Sequence, residues 1–187
     1  NLYFLILISL LIFFITPFIP NSAPYLNNYV PIIDNFPFFI ALSLFFSCLI
    51  IVVFYGIYAY PAKQNLYHNY VLCFNLILII AFISFIFTNR LVAIENLIKY
   101  DFFEITFWPF GHILQYAYVV LMCLAWLLFI KKSKIRLYFS DNFLKNSAYL
   151  YVLIAASSFI FLIDQNIEYY ELKKLYTIHM IVGASIL

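Results

Sequence analysis

A chain of 187 residues that is 67% hydrophobic and only 10% charged, with a mean hydropathy of +1.02, lies far from the composition of a water-soluble domain, where about a quarter of residues are charged. A formal net charge of +2, with the Lys and Arg residues gathered at the ends of apolar runs, excludes a nucleic-acid-binding surface. What remains is an integral membrane protein in contact with the lipid bilayer.

Crossing the hydrocarbon core takes about 20 apolar residues in a helix, with about 17 to 25 tolerated. By that ruler, spans are predicted at residues 2–19, 38–60, 66–88, 105–130 and 147–163, with the start of a sixth at 174–187. Only helices and closed barrels satisfy backbone groups in lipid, and these runs lack the alternation of barrel strands. The expected fold is therefore all-α: a polytopic transmembrane helical bundle of about five full spans plus one truncated, forming a single domain over residues 1–187. The chain starts at Asn1 without Met or a basic leader and stops inside an apolar run, so it reads as an internal piece of a longer membrane protein.

The first run ends at Pro17 and Pro20, and residues 21–36, with Pro24 and Pro31, read as a turn-rich loop. Short basic loops stay on the cytoplasmic side of a membrane, and five of the ten basic residues, Lys131, Lys132, Lys134, Arg136 and Lys145, lie between the fourth and fifth spans. Alternating outward from that loop puts residues 20–37 outside and the turn at Lys63 inside. The loops at 89–104 and 164–173 then fall outside, although Lys173 and Lys174 pull mildly the other way. The localisation expected is the cell inner membrane.

Polar chemistry concentrates in Phe107-Trp108-Pro109-Phe110-Gly111-His112-Ile113-Leu114-Gln115-Tyr116. Residues three and four apart share a helix face, so His112, Gln115 and Tyr116 place an imidazole, an amide and a phenol side by side within two turns of the outer surface. An ionisable residue at that depth marks a functional-site candidate. His179, near the start of the sixth span, falls at a similar depth. Metal ligand, proton relay and interhelical packing residue are all open readings for such a histidine. The bland readings of the neighbours are interhelical glue for Gln115 and Tyr116 and an aromatic-belt anchor for Trp108. His68 reads as an interfacial residue, and Cys48, Cys73 and Cys123 as small buried hydrophobes without metal-ligand spacing.

The segment Phe107-Trp108-x-x-Gly111-His112-x-x-x-Tyr116 resembles the sixth-helix motif of haem–copper oxidase catalytic subunits, and Tyr100-Asp101-Phe102-Phe103-Glu104 resembles the lead-in of divergent oxidase-like subunits. The resemblance implies an oxidoreductase reducing oxygen or nitric oxide in a respiratory chain, with haem and copper as cofactors. It assigns His112 as a copper ligand and Tyr116 as a catalytic proton or electron donor; His179 joins as a candidate metal residue by depth alone. Further respiratory-complex subunits and a cytochrome c-type electron donor are the partners implied. The family's seventh helix carries a His pair that the matching stretch, Phe159-Ile160-Phe161-Leu162-Ile163-Asp164-Gln165, lacks. The isolated piece is expected to be inactive, since the family's haem ligands lie on helices outside it. Against this stand a polytopic transporter or channel, in which His112, Gln115 and Tyr116 line a polar path, and a non-catalytic membrane assembly subunit.

Overall fold

The computed structural model describes residues 2–20, 22–59, 65–92, 97–136, 138–163 and 168–185. Among these residues six helices follow one another: α1 (Leu2–Ile15), α2 (Phe36–Ala59), α3 (Leu66–Val92), α4 (Lys99–Lys132), α5 (Asp141–Ser157) and α6 (Tyr169–Ser185). Tight 3-10 turns extend α1 over Thr16–Phe18 and α5 over Ser158–Leu162. Among the described residues four helices, over Phe36–Tyr58, Leu66–Leu91, Lys99–Lys132 and Asp141–Leu162, are long and apolar enough to cross a membrane; Leu2–Phe18 is an apolar helix of shorter length. The protein is thus an all-α helical bundle with membrane-type spans. Where the run lengths predict five full spans and a truncated sixth, four helices among the described residues reach spanning length, the first run forms a shorter helix and the sixth falls in α6.

Local chemistry sets the helix ends. The Asn35 and Asn65 side chains accept from the backbone N–H of Phe38 (2.8 Å) and His68 (3.0 Å), and Ser140 accepts from Phe143 (3.2 Å), each satisfying a first-turn donor that has no partner within the helix. At the other end of α4, Lys134 takes a left-handed φ of 57°, and Ile135 N–H reaches Ile130 O while Lys134 N–H reaches Lys131 O. This is a Schellman closure, here built without the usual glycine. The Lys131 ammonium then sits 4.5 Å over the Tyr67 ring, joining the end of α4 to the start of α3.

The predicted turn-rich loop is more ordered than its prolines suggested. Strands β1 (Ala23–Tyr25) and β2 (Ile32–Asp34) pair antiparallel, with Pro24 opposite Ile33, and make a small hairpin over the bundle. Ile32 is buried beneath it, and Asp34 is bridged by Lys99 at the start of α4 (2.7 Å). The ion pair is exposed and screened by solvent, so the hairpin is held mainly by its tip. The core itself is aliphatic and aromatic, centred on α3 and α4.

The turn at Lys63 and the Asp164-Gln165 part of the motif-matching stretch lie outside the described residues. The expected topology has a direct test. With Cys48, Cys73 and Cys123 replaced, single cysteines at Leu26 and at Ile135, both exposed, should react with an impermeant maleimide from opposite sides of the membrane. Labelling from one side only would overturn the predicted orientation.

Candidate functional site

The site grows from one face of α4. Glu104, Trp108, His112 and Tyr116 recur every four residues, and so line up along the helix. Glu104 and His112 are buried, at 5% and 3% exposure, as is Tyr116. Pro109 lies inside the same stretch and removes a backbone donor from the ladder next to these groups. The polar face meets α6 and the hairpin rather than lipid.

At the hairpin end the Glu104 carboxylate is surrounded by donors. Lys173 Nζ on α6 reaches Oε1 at 3.1 Å, Asn28 Nδ2 reaches the same oxygen at 2.6 Å, and Asn28 N–H reaches Oε2 at 3.2 Å. The side chains of the ion pair are 24% and 6% exposed, so two charges are held largely away from water. Lys173 also lies 4.1 Å over the Trp108 ring, whose Nε1–H donates to Lys173 O at 3.1 Å. Trp108 is therefore tied to α6 through both its ring face and its indole N–H.

One turn farther along, His112 Nδ1 lies 2.9 Å from Trp108 O and 2.8 Å from Tyr29 Oη. A carbonyl only accepts, so in the neutral ring Nδ1 carries the proton and Nε2 the lone pair. Nε2 then faces Thr177 Oγ1 at 3.3 Å and Tyr29 Oη at 3.4 Å. Thr177 gives its hydrogen to Lys173 O (2.8 Å), leaving the Tyr29 phenol as the donor available to Nε2. Gln115 Nε2 donates to the same phenol at 3.3 Å. Burial, and to a lesser degree the Glu104 carboxylate, pushes the Tyr29 hydroxyl up to about 12, against a smaller lowering by Gln115, so it stays a neutral donor at neutral pH.

Tyr29 reaches His112 because residue 111 is glycine. A Cβ on Gly111 would fall within the Tyr29 ring, and the ring also packs edge-on against Trp108 at a centroid distance of 5.8 Å and against His112 at 5.2 Å. Sequence reading missed Tyr29, Asn28, Glu104, Lys173 and Thr177. Glu104, Lys173 and Thr177 carried one usable signal, since they extend the four-residue spacing on α4 and match it on α6. The hairpin residues carried none.

Tyr116 does not join the His112 cluster. Its hydroxyl donates to His179 O (2.9 Å) and lies 3.2 Å from His179 Nδ1, while His179 Nε2 lies 2.9 Å from Ser157 Oγ on α5. Gly183 lets α6 come this close, since a Cβ there would meet the Tyr116 hydroxyl and Ile154. His112 and His179 thus bond different partners, with His179 placed about one turn deeper along α4. His68 bonds Asn65 (2.7 Å), as a residue at a helix start would.

The resemblance to oxidases implies copper at His112. Copper centres gather several imidazole or sulfur ligands. Around His112 stand a phenol, a hydroxyl and a backbone carbonyl, and no set of three His, Cys, Asp or Glu residues that could hold a metal occurs among the described residues. That donor set does not fit a copper ion, and the chemistry these residues support is hydrogen bonding and proton exchange.

The chain is 27% identical over 165 residues, 82% of its length, to a protein of Rickettsia prowazekii (strain Madrid E) described as uncharacterized. It spans 31% of that protein's length. No family model and no solved structure matches.

Proposed function

We propose that this chain forms part of a membrane transport protein in which the seam between α4 and α6 carries protons. The observation that supports this reading is the buried line of titratable and hydrogen-bonding groups, Glu104–Lys173, then Tyr29–His112–Thr177, then Tyr116–His179–Ser157, running one turn at a time into the bundle. Polar groups at membrane depth are costly, and such lines commonly serve as proton relays. In the mechanism that follows, a proton enters at the Glu104 carboxylate, His112 accepts at Nε2 and releases from Nδ1, and Tyr116 and His179 receive it one turn deeper. The gaps between successive clusters, from Glu104 to His112 and from His112 to Tyr116, are crossed by ring rotation or water. The oxidase-like reading draws on the buried His112 with Tyr116 a turn beyond. It would take its copper and haem ligands from outside the described residues, in the inner membrane beside further respiratory subunits and a cytochrome c-type donor.

The test is proton flux in liposomes holding the full-length protein and a trapped pH indicator. His112→Gln keeps a hydrogen-bonding side chain but does not titrate, so it should cut flux at least about tenfold while helicity by circular dichroism stays unchanged. Undiminished flux in this variant would make the seam interhelical glue and remove the transport reading.

A further inference from the structure

On the opposite side of α4 from the polar seam lies a cavity of about 250 Å³ between α2, α3 and α4, bounded by Ile32 of the hairpin. Six phenylalanine rings wall it. Phe39 stacks on Phe103 with ring centroids 5.9 Å apart, and Phe85 packs against Phe107 at 5.2 Å. Three polar side chains also line it. Ser43 and Asn89 are exposed, whereas Thr106 is 2% exposed and its Oγ1 is buried without a hydrogen-bond partner.

That orphan hydroxyl departs from what the other threonines do. Of the four in the chain, Thr16, Thr88 and Thr177 each donate to a backbone carbonyl three or four residues earlier, at 2.8 to 2.9 Å. Such back-bonding is the default for threonine in a helix. Thr106 forgoes it while lining a cavity of aromatic rings. Water is a poor occupant, since a buried water needs about two to four polar partners and the buried wall offers one. An apolar cavity of about 150 Å³ already accepts a benzene ring, so this one has room for a ring with substituents. Aromatic walls favour an aromatic guest through edge and face contacts.

We propose that this cavity is a binding site for a small neutral ligand with one aromatic ring and one hydrogen-bonding oxygen, phenol-like in chemistry, whose oxygen pairs with Thr106 Oγ1. The ligand enters past Ser43 and Asn89. A hydroxyl suits the site because it can donate to or accept from threonine, and a neutral ring avoids burying charge.

The probe pair is p-cresol and toluene, which differ by the one oxygen. Binding to the full-length protein in lipid nanodiscs is followed by saturation-transfer NMR, with empty nanodiscs giving the partition background. The wild type should bind p-cresol saturably and about tenfold more tightly than toluene. Thr106→Val keeps the shape and removes the hydroxyl. It should weaken p-cresol about tenfold, leave toluene unchanged and not lower the unfolding midpoint, because the native hydroxyl has no protein partner to lose. Ser43→Trp, at the exposed entrance, should abolish saturable binding of both. Equal binding of the two probes, full p-cresol affinity in Thr106→Val, a destabilised Thr106→Val or no saturable binding above empty nanodiscs would each overturn the proposal.

Discussion

Replacing Glu104 by Leu should destabilise the protein by about 3–5 kcal/mol, the largest effect expected of any single change. The reason is what stays behind: the Lys173 ammonium, three-quarters buried at its side chain, loses its counter-charge, and the Asn28 N–H and Nδ2 donors lose their acceptor. Removing both charges is a different matter. The Glu104→Leu, Lys173→Met pair leaves no unpaired ion and should lie within about 1 kcal/mol of the wild type, since apolar replacement of a buried pair is often neutral. Reversible unfolding in mixed micelles across the four members of the cycle measures the coupling directly. A single-mutant cost below about 1 kcal/mol would mean the pair is well solvated and does not anchor the hairpin to α4.

The second large effect is a reversal of sign at Gly111. In a helix interior Gly→Ala ordinarily stabilises by about 1 kcal/mol. Here the added methyl would occupy the Tyr29 ring position, so Gly111→Ala should instead destabilise by about 1–3 kcal/mol as the hairpin tip is forced off His112. Hydrogen exchange locates the damage. Amides of residues 22–35 should exchange about tenfold faster or more while those of α3 keep their protection. Faster exchange confined to α4, or a stabilised variant, would show that Tyr29 does not seat on that glycine. Tyr29 also gives this contact a pH dependence of known sign. Its hydroxyl titrates at about 12 in the folded protein against an ordinary 10, so the folded state binds the proton more tightly. The contribution is complete below pH 10 and is lost as pH rises from there through 12.

Composition and run length by themselves determined the class of this protein. Apolar stretches of about 20 residues must be helical in lipid because no other local structure satisfies the backbone there, and within the described residues each predicted run falls in a helix or its 3-10 extension but for a terminal residue. Helical spacing likewise set His112 and Gln115 on one face, and both meet Tyr29. It also aligned Tyr116 with His112, but spacing says nothing of neighbours. Which helix packs there was decided by the tertiary structure, and α6 draws Tyr116 to His179 through the close approach at Gly183. Trp108 shows the same limit, since an aromatic near a span end suits either the lipid interface or a lysine on the next helix. Residues 28 and 29 are separated from their partners by 76 and 83 positions. No local pattern reaches that far: the hairpin reaches the site only because folding places Asn28 beside Glu104 and Tyr29 against Gly111, so the polar centre of the molecule is a product of chain topology rather than of any motif.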